Sequence, residues 1–142
     1  MTAELLEQDA TDAERLIIAW LGPLEYRLAT ERKSGDPLPM VIVNEITATE
    51  DSQQISAYPV VSLHILAATV AEVKTAASRV HRRMLLLARD PLQDIVLSDD
   101  STMSIEWLET VERPHPEYYS DTVKQRIGRY EMGVPFTDTE GE

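Results

Sequence analysis

The chain has no cysteine. That excludes disulfides, thiolate metal sites and a cysteine nucleophile, and it fits a reducing compartment. Glycine is scarce, with five residues, and none of them forms a dinucleotide-binding G-x-G-x-x-G or a Walker loop. The serines lack the G-x-S-x-G and S-x-x-K contexts of nucleophilic catalysis. His64, His81 and His115 stand apart, without metal-ligand spacing. No segment approaches the ~20 apolar residues that span a bilayer. The first residues, MTAELLEQDATDAERL, lack the basic and apolar regions of a secretion signal. Positive charge is also in short supply. There are 13 Lys and Arg against 25 Asp and Glu, a net charge of −12, which opposes general binding to phosphate backbones. Asp99-Asp100 is an acidic pair, but Ser101-Thr102 follows it, and the stretch reads as turn chemistry rather than a catalytic dyad.

What is present suffices for one ordinary domain. A chain of 142 residues buries roughly 68–70% of its unfolded surface without needing metals or disulfides. Residues 1–10 read as an N-terminal extension, 11–136 as a single α+β domain and 137–142 as an acidic tail. Thr11 and Glu14 have capping-box spacing ahead of Ala13, Leu16, Ile17 and Trp20, and Gly22-Pro23 ends that helix with a left-handed glycine. LEYRLATE alternates, Leu24, Tyr26 and Leu28 against Glu25, Arg27 and Ala29, as a strand does. Met40 to Ile46 and Tyr58 to Ala67 read as a hairpin across a polar connection, residues 50–56.

Thr69 and Glu72 open the clearest helix, with a stripe of Val73, Ala76, Ala77, Val80, Met84 and Leu87. Asp90-Pro91 stops it. Ile95–Leu97 is a short strand candidate. Met103 to Val111 is predicted to be a strand, RPHPEYYSD a rigid connection and KQRIGRYEMGV the last strand. Strand runs broken by one long helix give an α+β fold, a single mixed or antiparallel sheet packed with two main helices.

Without a catalytic constellation, attention falls on surfaces. ERKSGDPLPM places Arg32, Lys33, Asp36 and Pro37 in a stiff arm before a strand. Its prolines lower the entropy lost on docking. On the long helix, Arg79, Arg82 and Arg83 lie opposite or beside the apolar stripe, with Leu86 among them, a combination suited to protein contacts. Tyr118 and Tyr119 add amphipathic rings. The plain alternatives are a solvated helix face and ordinary surface loops.

Four stretches, DAERLIIAWLGPL, TERKSGDPLPMVIV, RVHRRMLLLARDPLQDIVL and WLETVERPHPEYYSDTVKQRIGRYEMGV, together resemble the tail terminator proteins of long-tailed (siphovirus-type) phages of actinobacteria. The resemblance covers Asp12 to Val134. It implies a homohexameric ring that caps the tail tube at its head-proximal end, assembled in the host cytoplasm. The implied partners are further copies of the chain, the major tail tube protein and the head-tail connector proteins. DNA is implied to pass through the lumen without specific binding. No enzyme activity, cofactor, metal or membrane partner is implied. The competing expectation is a small non-enzymatic protein-binding or head-tail connector module.

Overall fold

The computed structural model describes residues 12–50 and 56–135. The expected extension over 1–10, Thr11, the loop residues 51–55 and the tail over 137–142 lie outside them.

Helix α1 is Ala13–Leu21. Its N-cap is Asp12, one residue beyond the expected Thr11: the Asp12 carboxylate accepts hydrogen bonds from the amides of Glu14 (3.0 Å) and Arg15 (3.2 Å), which satisfies two free donors of the first turn. Gly22 is not left-handed as expected. It is right-handed and leads into a 3-10 turn, Gly22–Leu24, where the fixed φ of Pro23 fits. The left-handed residue is Glu25 (φ 67°). This turn consumes the start of the expected first strand, so β1 is only Arg27–Ala29. Leu24, Tyr26 and Leu28 still pack against the main core.

Strand β2 is Met40–Glu50 and β3 is Ser56–Ala67. They form the expected antiparallel hairpin, with a bulge between Glu45 and Thr47. Helix α2 is Val70–Arg89, capped by Thr69, whose hydroxyl accepts the Glu72 amide. The six residues of its predicted stripe are all buried.

The predicted strand from Met103 to Val111 divides in two. Thr102–Met103 (β5) pairs with Ile95–Val96 (β4) in a small second sheet. The chain then turns Ile105 into the core, its amide donating to the Pro91 carbonyl. Strand β6 is Trp107–Tyr118. It therefore absorbs most of the stretch expected to be a rigid connection. Pro114 and Pro116 are accommodated because β6 is an edge strand with register shifts on both sides of Glu112, where a missing N–H leaves no ladder bond broken. Strand β7 is Lys124–Pro135.

The main sheet has the order β1-β2-β3-β7-β6, with β1 parallel to β2 and every other neighbour antiparallel. This is the expected α+β architecture, with the β4-β5 sheet added. Alternate residues of β3 (Ala57, Val61, Leu63, Ile65, Ala67) and of β7 (Tyr130, Met132, Val134) meet α1 and α2 in one core. On the opposite sheet face, Leu38 and Ala29 pack over Met40, Ile42, Leu66 and Val123. Beside them, His64 is held between the Ser62 hydroxyl (2.9 Å) and the Gln125 amide oxygen (3.1 Å).

Candidate interaction surfaces

The arm before β2 is closed on itself. The Asp36 carboxylate accepts the Lys33 amide (2.8 Å) and the Arg27 guanidinium (3.2 Å), while Arg32 donates to the Asp36 carbonyl (3.1 Å). Gly35 takes the positive φ (87°) that the turn requires. Asp36 and Arg32 thus brace the loop, and the Nε of Arg32 is buried without a hydrogen-bond partner. Lys33 and Pro37 are exposed at its rim.

The three helix arginines have different surroundings. Arg83 lies with its guanidinium 3.7 Å from the Trp20 ring centroid and donates from Nε to the Trp20 carbonyl (2.8 Å). Trp20 Nε1 returns a bond to the Arg83 carbonyl (2.9 Å). Burial pushes the Arg83 pKa below its ordinary value. Arg79 stacks on Tyr26 at 5.1 Å and donates to its hydroxyl. Arg82 is exposed and has no ion pair or side-chain hydrogen bond among the described residues. Leu86 faces outward, 44% exposed. Sequence reasoning missed other exposed apolar residues: Leu85 on α2, and Leu92 and Val96 in the chain that follows it. Leu85 falls outside the core stripe at helical spacing, which is the signal that marks it.

Tyr118 is 77% exposed and its hydroxyl donates to Asp121 (3.0 Å). Tyr118, Tyr119, Val70 and Val73 border a cleft of about 390 Å³ where the end of β6 meets the start of α2. The arm and the helix face are not joined to this cleft by any shared lining residue, so the predicted surface residues form separate patches.

Asp99 behaves as turn chemistry. It accepts from the amide and hydroxyl of Ser101 and pairs with Arg15 (3.3 Å). The Ser101 hydrogen bonds, then Arg15, hold its carboxyl down at about 2. His81 donates to or accepts from the Tyr130 hydroxyl at 2.7 Å. Burial, then the neighbouring Arg113, lowers its pKa. Among the described residues, no group of three or more His, Asp or Glu side chains is placed to hold a metal ion, and no helix is long and apolar enough to cross a membrane.

No protein-family model matches the chain, and no curated protein matches it in sequence. Among solved structures, the fold is shared with a chain of the virion of a native gene transfer agent particle. The TM-score is 0.54 at 17% identity, over 88% of this chain and 87% of that one.

Proposed function

We propose that the chain is a virion structural protein and acts as a tail terminator. On this reading it forms a homohexameric ring at the head-proximal end of the tail. The ring caps the tube, ends polymerisation of the major tail tube protein and offers a docking surface to the head-tail connector proteins. Its work is contact rather than catalysis. The observation that carries the reading is the fold shared with a virion chain over nearly the full length of both chains. The resemblance of four stretches between Asp12 and Val134 to tail terminators narrows it to this position in the particle.

The surface supports a protein that meets others. Leu86 stands exposed with Arg82 around a shallow hollow on α2, and Leu85 is exposed on the same helix, apolar surface with a cation of the kind interfaces use. A net charge of −12 suits a lumen through which DNA slides without adhering. Deleting the gene from the phage tests the role. The expected result is tails of uncontrolled length, or tails that do not join heads. Tails of normal length joined to heads would overturn it.

A further inference from the structure

Positive charge is scarce on this molecule and unevenly committed. Arg15, Arg27, Arg32, Arg79, Arg83 and Arg129 have their guanidinium groups held by groups of the same chain. Lys74, Arg113, Lys124 and Arg126 have no such side-chain partner among the described residues, yet they gather at one seam between α2 and the β6-β7 end of the sheet. Lys74, Arg113 and Arg126 line a depression of about 150 Å³ with His81, and no carboxylate lines it. Arg126 also borders the cleft of about 390 Å³, which Lys124 shares with Val73, Val123 and Tyr119. The two carboxylates of that cleft are already engaged, Glu117 with His115 (3.0 Å) and Asp121 with the Tyr118 hydroxyl (3.0 Å). An acidic protein thus presents a groove made of a depression lined by three cations and no carboxylate, next to a cleft with an apolar recess.

We propose that this groove receives the C-terminal segment, residues 136–142, of a second copy of the chain. Its sequence, FTDTEGE, supplies what the groove lacks. Asp138, Glu140 and Glu142 offer three carboxylates to the four cations, and Phe136, the chain's one phenylalanine, offers an aromatic anchor for the recess. Charge-assisted pairs of this kind are stronger than neutral hydrogen bonds.

Seating Phe136 in the recess requires a tail from another copy. Strand β7 runs from the groove, at Lys124 and Arg126, to Pro135. At ~3.4 Å per residue, the end of β7 lies about 31 Å from Arg126. A tail leaving Pro135 therefore cannot bring Phe136 to the recess of its own subunit. The proposal shares with the tail-terminator reading the premise that copies of this chain meet, and it does not depend on their number.

Sedimentation of the full-length protein over a concentration series tests it with three variants: Arg113→Glu/Arg126→Glu, Asp138→Lys/Glu140→Lys, and all four changes together. Each pair should weaken self-association by about tenfold or more, and the four-fold swap should recover most of the loss. Melting temperatures, measured alongside, should match the parent. A parent that stays monomeric, pairs that associate like the parent, or a swap that recovers nothing would overturn the proposal. So would recovery of the Arg113→Glu/Arg126→Glu protein by Glu4→Lys/Glu7→Lys in place of the tail changes, since the occupant would then be the N-terminal segment. A labelled DNA duplex is titrated in parallel. Salt-dependent binding by the parent that is lost in Arg113→Glu/Arg126→Glu, with self-association unaltered, would make the groove a phosphate surface instead. An assembly other than a hexamer, or one that ignores tail tubes, counts against the tail terminator and leaves tail docking intact.

Discussion

Arg83 and Trp20 hold each other reciprocally. The guanidinium covers the indole at 3.7 Å, Arg83 Nε donates to the Trp20 carbonyl, and Trp20 Nε1 donates to the Arg83 carbonyl. The contact joins the last turn of α1 to the middle of α2, and it caps a helix end whose carbonyls lack intrahelical partners.

Arg83→Ala is expected to destabilise the fold by about 2 kcal/mol. A partly desolvated cation–π contact contributes ~0.5–2 kcal/mol and one hydrogen bond about 1 kcal/mol. Arg83→Lys should recover little, because an ammonium cannot stack and donate in that geometry. Arg82→Ala, four atoms of the same chemistry turned to solvent, should change stability by less than ~0.5 kcal/mol. Denaturant unfolding compares the three. Equal stability for the Arg82 and Arg83 variants would show that the clasp contributes nothing.

Val80 and Leu86 lie on the same helix with opposite exposures, 0% and 44%. Val80→Glu should prevent folding, because it buries an unpaired charge. Leu86→Glu should keep the parent's melting temperature and impair assembly. Melting curves beside assembly mass separate the two. A Leu86→Glu protein that assembles normally would remove the α2 outer face from the interface.

Gly133 on β7 is held against Trp107 of β6. A Cβ at that position would stand 2.5 Å from the Trp107 ring nitrogen, and Trp107 is itself stacked on Tyr58. Gly133→Ala should therefore destabilise by ~1–3 kcal/mol through overpacking. The control is Gly22→Ala, whose Cβ would meet nothing within 4 Å and whose φ is ordinary. If both variants melt alike, Trp107 moves freely.

Glu45 titrates above the ordinary range for a glutamate because of desolvation, then repulsion from Glu14 and Asp12. Its backbone amide meanwhile donates to the Glu14 carboxylate at 2.8 Å. A carboxyl whose folded pKa is raised favours the folded state when protonated, and this support is lost as pH rises through the folded value. Glu45→Gln should raise the melting temperature at neutral pH, and the gain should vanish as the pH falls below that value. A gain independent of pH would point to a cause other than charge.

Local signals made much of the fold legible. The stripe from Val73 to Leu87 and its Thr69 cap come from spacing alone, and the hairpin of β2 and β3 comes from two apolar runs around a polar stretch. Pro114 and Pro116 misled, because a strand's position at the sheet edge is a tertiary property that its own sequence does not carry. Gly22 misled for a local reason: a following proline fits a 3-10 turn as well as it fits a stop. On the surface, outward Leu86 and Arg82 were legible from the helical wheel. The partners of Arg83 and Arg79 were not, since Trp20 and Tyr26 come to them from more than 50 residues away. The same holds for the groove, whose cations are drawn from α2, β6 and β7.

On the proposed function, copies of this chain close on a tail tube and stop its growth. Electron microscopy of growing tubes, with and without the purified protein, tests it most directly. The expected result is a closed ring on one end of each tube and tube lengths that stop increasing once the protein is added. Tubes that continue to lengthen, with no added density at either end, would contradict it.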